Sequence, residues 1–183
     1  MNLSSRIITK TLTNVLMGFL TIVEFSVVAA SVATPVEIAP ALQVTYLGNC
    51  GFLLRGTDKA IVIDGLFSTS YNGMFDVPSP ETVNRIIAGE KPFSGIDLLL
   101  ITHKHEDHLN PILIEAFLQK NPQCKLVCPT EANEIIRKKC RSFEAIKSQI
   151  INIDMELFAH RKMTINGIAL DVLRLRHGLS SKH

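Results

Sequence analysis

The chain has 183 residues, of which 46 % are hydrophobic and 20 % charged, enough for one globular domain with a real core. A formal net charge of only +2, no Trp and 6 % aromatic residues argue against a nucleic-acid binder, which needs a basic face or a surface on which bases stack.

Residues 1–33 differ from the rest. Arg6 and Lys10 precede an apolar run from Val15 to Val23 that continues from Phe25 to Ala30, and Ser31-Val32-Ala33 supplies small residues before Thr34. This pattern reads as a secretory signal peptide, with residues 34–183 as the domain it exports to the periplasm or the medium. The rival reading is an uncleaved membrane anchor over roughly residues 12–33. A span needs about 20 predominantly apolar residues, and Glu24 with several Ser and Thr weakens it.

The elements then follow in order. Leu42–Leu47, Gly51–Leu54 and Ala60–Ile63 are short apolar runs separated by Gly48-Asn49 and Gly56-Thr57-Asp58, which predicts a β-meander. Residues 65–79 have no period and read as a loop, with Phe67, Tyr71 and Phe75 as candidate apolar contacts for a substrate. Ser79 as a cap, Pro80, Glu81 and the closing Gly89 predict a helix. Asp97–Thr102 is a buried strand, Pro111–Lys120 a helix, Lys125–Cys128 a strand, and Thr130–Lys139 a helix with a basic end. Such a basic end complements the helix dipole. Gln149–Ile153 is a further strand. Asn166-Gly167, between MTI and IALDVLRL, predicts a tight hairpin whose second strand runs to Arg176-His177.

The four cysteines are Cys50, Cys124, Cys128 and Cys140. An extended chain rises ~3.3 Å per residue, so Cys124 and Cys128 sit about 13 Å apart, too far for a disulfide. They read as buried free thiols. No CxxC pair is present, which excludes a zinc ribbon.

The segment ITHKHEDHLNP (101–111) carries the chemistry. In extended chain, residues two apart share a side, so His103 and His105 can point at one ion. Asp107 and His108 follow after the chain turns and can face a second. Imidazole nitrogen and carboxylate oxygen are good zinc ligands, and a catalytic site takes three protein ligands plus water. The third comes from elsewhere, and His177, at the end of a later strand, is the natural candidate. His160 and His183 have no such context and read as surface residues.

THKHEDH (102–108) resembles the HxHxDH signature of the metallo-β-lactamase fold superfamily, and TYLGNCGFLL (45–54) and AIVIDGLF (60–67) resemble its opening strands. The resemblance covers about residues 42–178. It implies an α/β (α+β) chain folded as an αββα sandwich, with the second half incomplete. It also implies one zinc at His103, His105 and His177, and a second at Asp107 and His108. A later bridging aspartate and a last histidine of the family have no counterpart before His183. The implied activity is that of a zinc-dependent hydrolase. A metal-bound hydroxide would attack an ester, lactone, lactam, thioester or phosphodiester of a small-molecule substrate. Asp107 would orient the nucleophile and Asp64 would position the ligand loop by hydrogen bonds. A truncated, non-catalytic metal-binding or scaffold protein is the alternative. A diiron redox centre is disfavoured, because HKHEDH has no carboxylate in place of a first-site histidine.

Overall fold

The computed structural model describes residues 9–16, 19–26 and 42–177. The chain divides into two compact units, Met1–Ala39 and Pro40–His183. In the first, β1 (Thr9–Leu16) and β2 (Phe19–Ser26) pair antiparallel. The Ser31-Val32-Ala33 motif lies outside the described residues. Among the described residues no helix is long and apolar enough to cross a membrane.

The second unit is built on a six-stranded mixed sheet in the order β3-β4-β5-β6-β7-β8. Its strands are β3 (Leu42–Gly48), β4 (Gly51–Gly56), β5 (Ala60–Ile63), β6 (Leu98–Leu100), β7 (Lys125–Pro129) and β8 (Ile150–Ile153). The first three form the antiparallel meander expected from their turn residues. From β5 onward the pairing is parallel, and parallel strands need crossovers. These are α1 (Pro80–Ala88) after β5, α2 (Pro111–Lys120) after β6, and α3 (Thr130–Lys139) with the short α4 (Phe143–Ile146) after β7.

The helices start and stop where their caps dictate. The Ser79 side chain accepts from Thr82 N, Pro80 takes the first turn, and Gly89 closes α1 in the left-handed region at φ 66°. Asn110 caps α2 by accepting from the amides of Ile112 and Leu113. The first turn of α4 was not legible from hydropathy. It is fixed by the buried Glu115 carboxylate, which accepts from the amides of Arg141 and Ser142 at 3.2 and 2.5 Å.

One core cluster joins the helices to one face of the sheet. Leu53, Val62, Leu99 and Leu126, cross-strand neighbours, pack with Ile86, Ile114, Phe117 and Ile136. Burial of each such side chain contributes about 1.5–3 kcal/mol. On the other face Leu42, Val44 and Tyr46 of β3 are 56–58 % exposed. Phe67, expected to line a substrate wall, is fully buried, so it is a core residue instead. Its side chain falls just past β5, where the chain is still enclosed.

The last element is a separate two-stranded sheet of β9 (His160–Ile165) and β10 (Ile168–Leu173). Asn166 and Gly167 take φ of 50° and 78°, as a tight hairpin turn requires. The Asn166 amide donates to the carbonyls of Asp97 and Gln123 at 3.0 and 3.1 Å, which ties the hairpin tip to the starts of β6 and β7. β10 therefore runs back from that end of the sheet. Its strand geometry stops at Leu173 rather than reaching Arg176, although Arg174 still exchanges backbone hydrogen bonds with Ala159 and Phe158, the latter at φ 65°. Four residues further on lies His177.

A candidate metal centre at the ends of two parallel strands

Two adjacent parallel strands deliver the site. β5 is followed at once by Asp64, which has φ 42°, and β6 by Ile101, Thr102 and His103. Open parallel sheets assemble their sites at the carboxyl ends of strands. The backbone holds the two ends together, since Asp64 N donates to Leu100 O at 2.9 Å. Gly65 has no room for a side chain, because a Cβ there would sit 2.6 Å from Val62 Cγ1.

Two groups of metal-capable side chains converge on this rim. In one, His103, His105 and His177 each bring a ring nitrogen within 4.8 Å of the others. In the other, His103, Asp107 and His108 do the same with two nitrogens and an oxygen. The sequence suggested three ligands for one ion and two for the second. The structure brings those five residues together and adds that His103 belongs to both groups. His177 Nε2 lies 3.2 Å from His105 Nδ1, although 72 positions separate the residues. The His103 ring is 3.8 Å from that of His108 and 4.4 Å from that of His177, centroid to centroid.

Asp64 is fully buried behind these rings. Three donors reach its carboxylate: Thr102 N at 2.8 Å, Thr102 Oγ1 at 2.5 Å and His108 Nδ1 at 2.8 Å. Burial pushes its pKa up, and the Thr102 and His108 hydrogen bonds pull against that. With Nδ1–H donated to Asp64, His108 presents Nε2 as its free lone pair. Thr102 was missed by the sequence reading. Its one hydroxyl hydrogen goes to Asp64, so towards His103 Nδ1, 3.0 Å away, the oxygen must accept. His103 is thereby left with Nε2 free as well. Burial first, and then the imidazoles of His108, His177 and His105, push the His103 pKa down to about 4. The ring is neutral at ordinary pH, which is the form that binds a metal.

Asn49 was also missed. It lies in the β3–β4 turn, and its amide nitrogen is 3.1 Å from both the carbonyl and the Oδ2 of Asp107. Only its position in a Gly-Asn-Cys-Gly turn hinted at an unusual conformation, and the partner is 58 residues away. Tyr71, from the loop expected to form a wall, is exposed with φ 41° and stacks edge-on against Phe75 at 6.1 Å. Its phenol pKa is raised, first by desolvation and then by the carboxylates of Asp107 and Glu106, which places it beside the ligand loop.

The donor set suits a divalent ion. Asp107 Oδ1 is buried and has no hydrogen-bond partner, a costly arrangement for a carboxylate oxygen unless a cation completes it. The nitrogens and oxygens available are those zinc accepts. The cysteines among the described residues lie outside both groups and are free thiols.

Part of the chain that carries this site is similar to known proteins. Residues 45–110 match the sequence profile of the metallo-β-lactamase superfamily. A UPF0173 metal-dependent hydrolase of Pyrococcus furiosus is 29 % identical over 107 residues, covering 57 % of this chain and 39 % of that protein. A UPF0173 metal-dependent hydrolase of Aeropyrum pernix is 27 % identical over 111 residues, covering 60 % of this chain and 39 % of that protein. The alignments thus span about two-fifths of the length of these relatives. The matched segment runs from β3 through the histidine cluster to the cap of α2, and the mixed sheet with its crossover helices is consistent with the αββα fold of the superfamily that this segment resembles.

Proposed function

We propose that the chain is a zinc-dependent hydrolase acting on a small molecule with an ester, lactone, lactam, thioester or phosphodiester bond. The observation that carries this reading is the convergence of His103, His105 and His177 from segments 72 positions apart. The relatives' printed names, metal-dependent hydrolase, support the same class. His103, His105 and His177 would hold one ion, and Asp107 and His108, with His103 beside them, a second. When bound, the metal supplies Lewis acidity and lowers the pKa of water it carries.

The chain's own residues supply the rest. Asp64 and Thr102 hold Nδ1 of His108 and His103, which leaves Nε2 of each ring as the lone pair available to an ion. Asp107 offers its unpartnered Oδ1 to hold a cation or accept a proton from a water beside it. Tyr71, paired edge-on with Phe75, would offer a substrate an apolar and phenolic contact. We extend to this chain the expectation of export, with residues 1–33 as the leader; amino-terminal sequencing of the protein recovered from culture medium or periplasm checks it.

The test is metal analysis of the purified chain combined with a panel of ester, lactone, lactam, thioester and phosphodiester substrates. Bound zinc with turnover that a chelator abolishes and zinc restores supports the reading. Zinc without turnover on any class in the panel sinks the hydrolase assignment and leaves a metal-binding protein.

A further inference from the structure

The β3–β4 turn is locked from two sides. Gly48 has φ 112°, and a Cβ on it would lie 2.6 Å from the Asp76 carbonyl oxygen. A Cβ on Gly51 would lie 2.9 Å from the Asp64 carbonyl oxygen. Between them Asn49 takes φ 43°, a left-handed conformation that asparagine tolerates better than most residues. The turn has little freedom, so the backbone sets the Cα–Cβ direction of Asn49. The side chain reaches the ligand loop.

The side-chain nitrogen of Asn49 carries two hydrogens. Both have an acceptor on one residue, the Asp107 carbonyl and the Asp107 Oδ2, each at 3.1 Å. His108 Nε2, left without a proton by the bond to Asp64, lies 3.5 Å from the same nitrogen. The pair of contacts on Asp107 fixes both its backbone and its carboxylate rotamer. It also makes the two carboxylate oxygens unequal. Oδ2 accepts from Asn49 and lies 3.4 Å from His108 Nε2, whereas Oδ1 is buried with no partner.

We propose that Asn49 is a positioning residue that selects which oxygen of Asp107 is offered to the metal, and so sets the affinity and coordination of the His103–Asp107–His108 group. The proposal rests on the metal-site reading given under Proposed function. Asn49 does not bind the ion. It orients a carboxylate that does, in the way hydrogen-bond partners behind metal ligands do elsewhere, where their loss costs about 10–100-fold in affinity.

The experiment compares the full chain with N49G and N49A. Glycine accepts the positive φ of the turn and removes the amide; alanine removes the amide in a second backbone context. Zinc affinity is measured by competition with a chromophoric chelator. The Co(II)-loaded proteins are compared by visible absorption, which reports coordination and does not respond to a change in stability alone. Urea unfolding of the metal-free proteins tests folding. The expected result is folded N49G with zinc bound about 10–100-fold more weakly and an altered Co(II) spectrum. N49A, if it is the variant that folds, gives the same two changes. Wild-type affinity and spectrum in the folded variant overturn the proposal and leave the hydrolase reading standing. If neither variant folds, Asn49 is a residue of the fold and the proposal fails. If the wild-type chain itself binds no metal, both readings fall together.

Discussion

Asp64 acts on His103 without touching it. The Thr102 hydroxyl stands between them, giving its hydrogen to Asp64 Oδ2 at 2.5 Å and accepting from His103 Nδ1 at 3.0 Å. Thr102→Val keeps the shape and removes this relay. It leaves a buried carboxylate one donor short and the His103 N–H without an acceptor, a loss of about 1–3 kcal/mol, together with weaker zinc binding. Thr102→Ser keeps the hydroxyl and stays close to wild type. Urea unfolding and chelator competition on the two variants separate these outcomes; equal behaviour of Val and Ser would show that the hydroxyl relays nothing.

His177 is exposed, and its contacts among the described residues are with the histidine cluster. Surface substitutions away from caps and cores change stability by about 0.5 kcal/mol or less. His177→Ala is therefore expected to leave the metal-free unfolding midpoint unchanged while lowering zinc affinity and hydrolysis at least tenfold. Unchanged zinc affinity would remove His177 from the site.

Phe67 gives the opposite pattern. The residue is fully buried, and Phe→Ala in a core costs about 3–5 kcal/mol. Phe67→Ala should lower the unfolding midpoint sharply, with KM unchanged in whatever protein remains folded. A raised KM at normal stability would restore the substrate-wall role that its neighbours in sequence suggested.

The cysteines divide by environment. Cys50 is exposed, whereas Cys124 and Cys128 are buried thiols pushed up to about 12 by desolvation. Cys140 is half-buried and pushed up to about 11 by burial and by Glu115. A disulfide-exchange reagent at neutral pH should label Cys50 within minutes and Cys124 and Cys128 only on unfolding. Mass mapping of the labelled peptides checks the order, and early labelling of Cys128 contradicts the packing.

Acid should weaken the chelator-treated chain through His103. Its folded pKa is about 4 against 6.5 for the free side chain, so between those values the unfolded chain takes up a proton that the folded chain does not. Stability is then full above about pH 6.5 and declines as pH falls toward 4. His103→Gln should flatten that part of the curve. Parallel wild-type and variant curves of urea midpoint against pH across this window would refute the assignment.

Much of this was legible along the chain, and for identifiable reasons. The boundaries of α1 and α2 are written locally, in Ser79, Pro80 and Gly89 and in Asn110 and Pro111. The meander and the Asn166-Gly167 hairpin are likewise set by their turn residues. His103, His105, Asp107 and His108 announce themselves by crowding onto a strand end. What was hidden depends on distant contacts. Thr102 looks like an ordinary strand residue until Asp64 is placed 38 positions away. Asn49 looks like an ordinary turn former until Asp107 arrives beside it. α4 depends on Glu115, 27 positions before Ser142, and Phe67 was misjudged because burial past a strand end has no periodicity to reveal it.

The His105–His177 approach has a mechanical meaning as well. An ion gripped by both rings would staple together points 72 positions apart, much as a covalent crosslink does. Closing so long a loop removes a few kcal/mol of freedom from the unfolded chain, and a ligand that binds only the folded form adds its own mass-action term. The terminal hairpin, held at its tip by Asn166 alone of the side chains in that turn, would then be fastened at both ends. Its hydrogen exchange is the place where such a clasp should leave its mark.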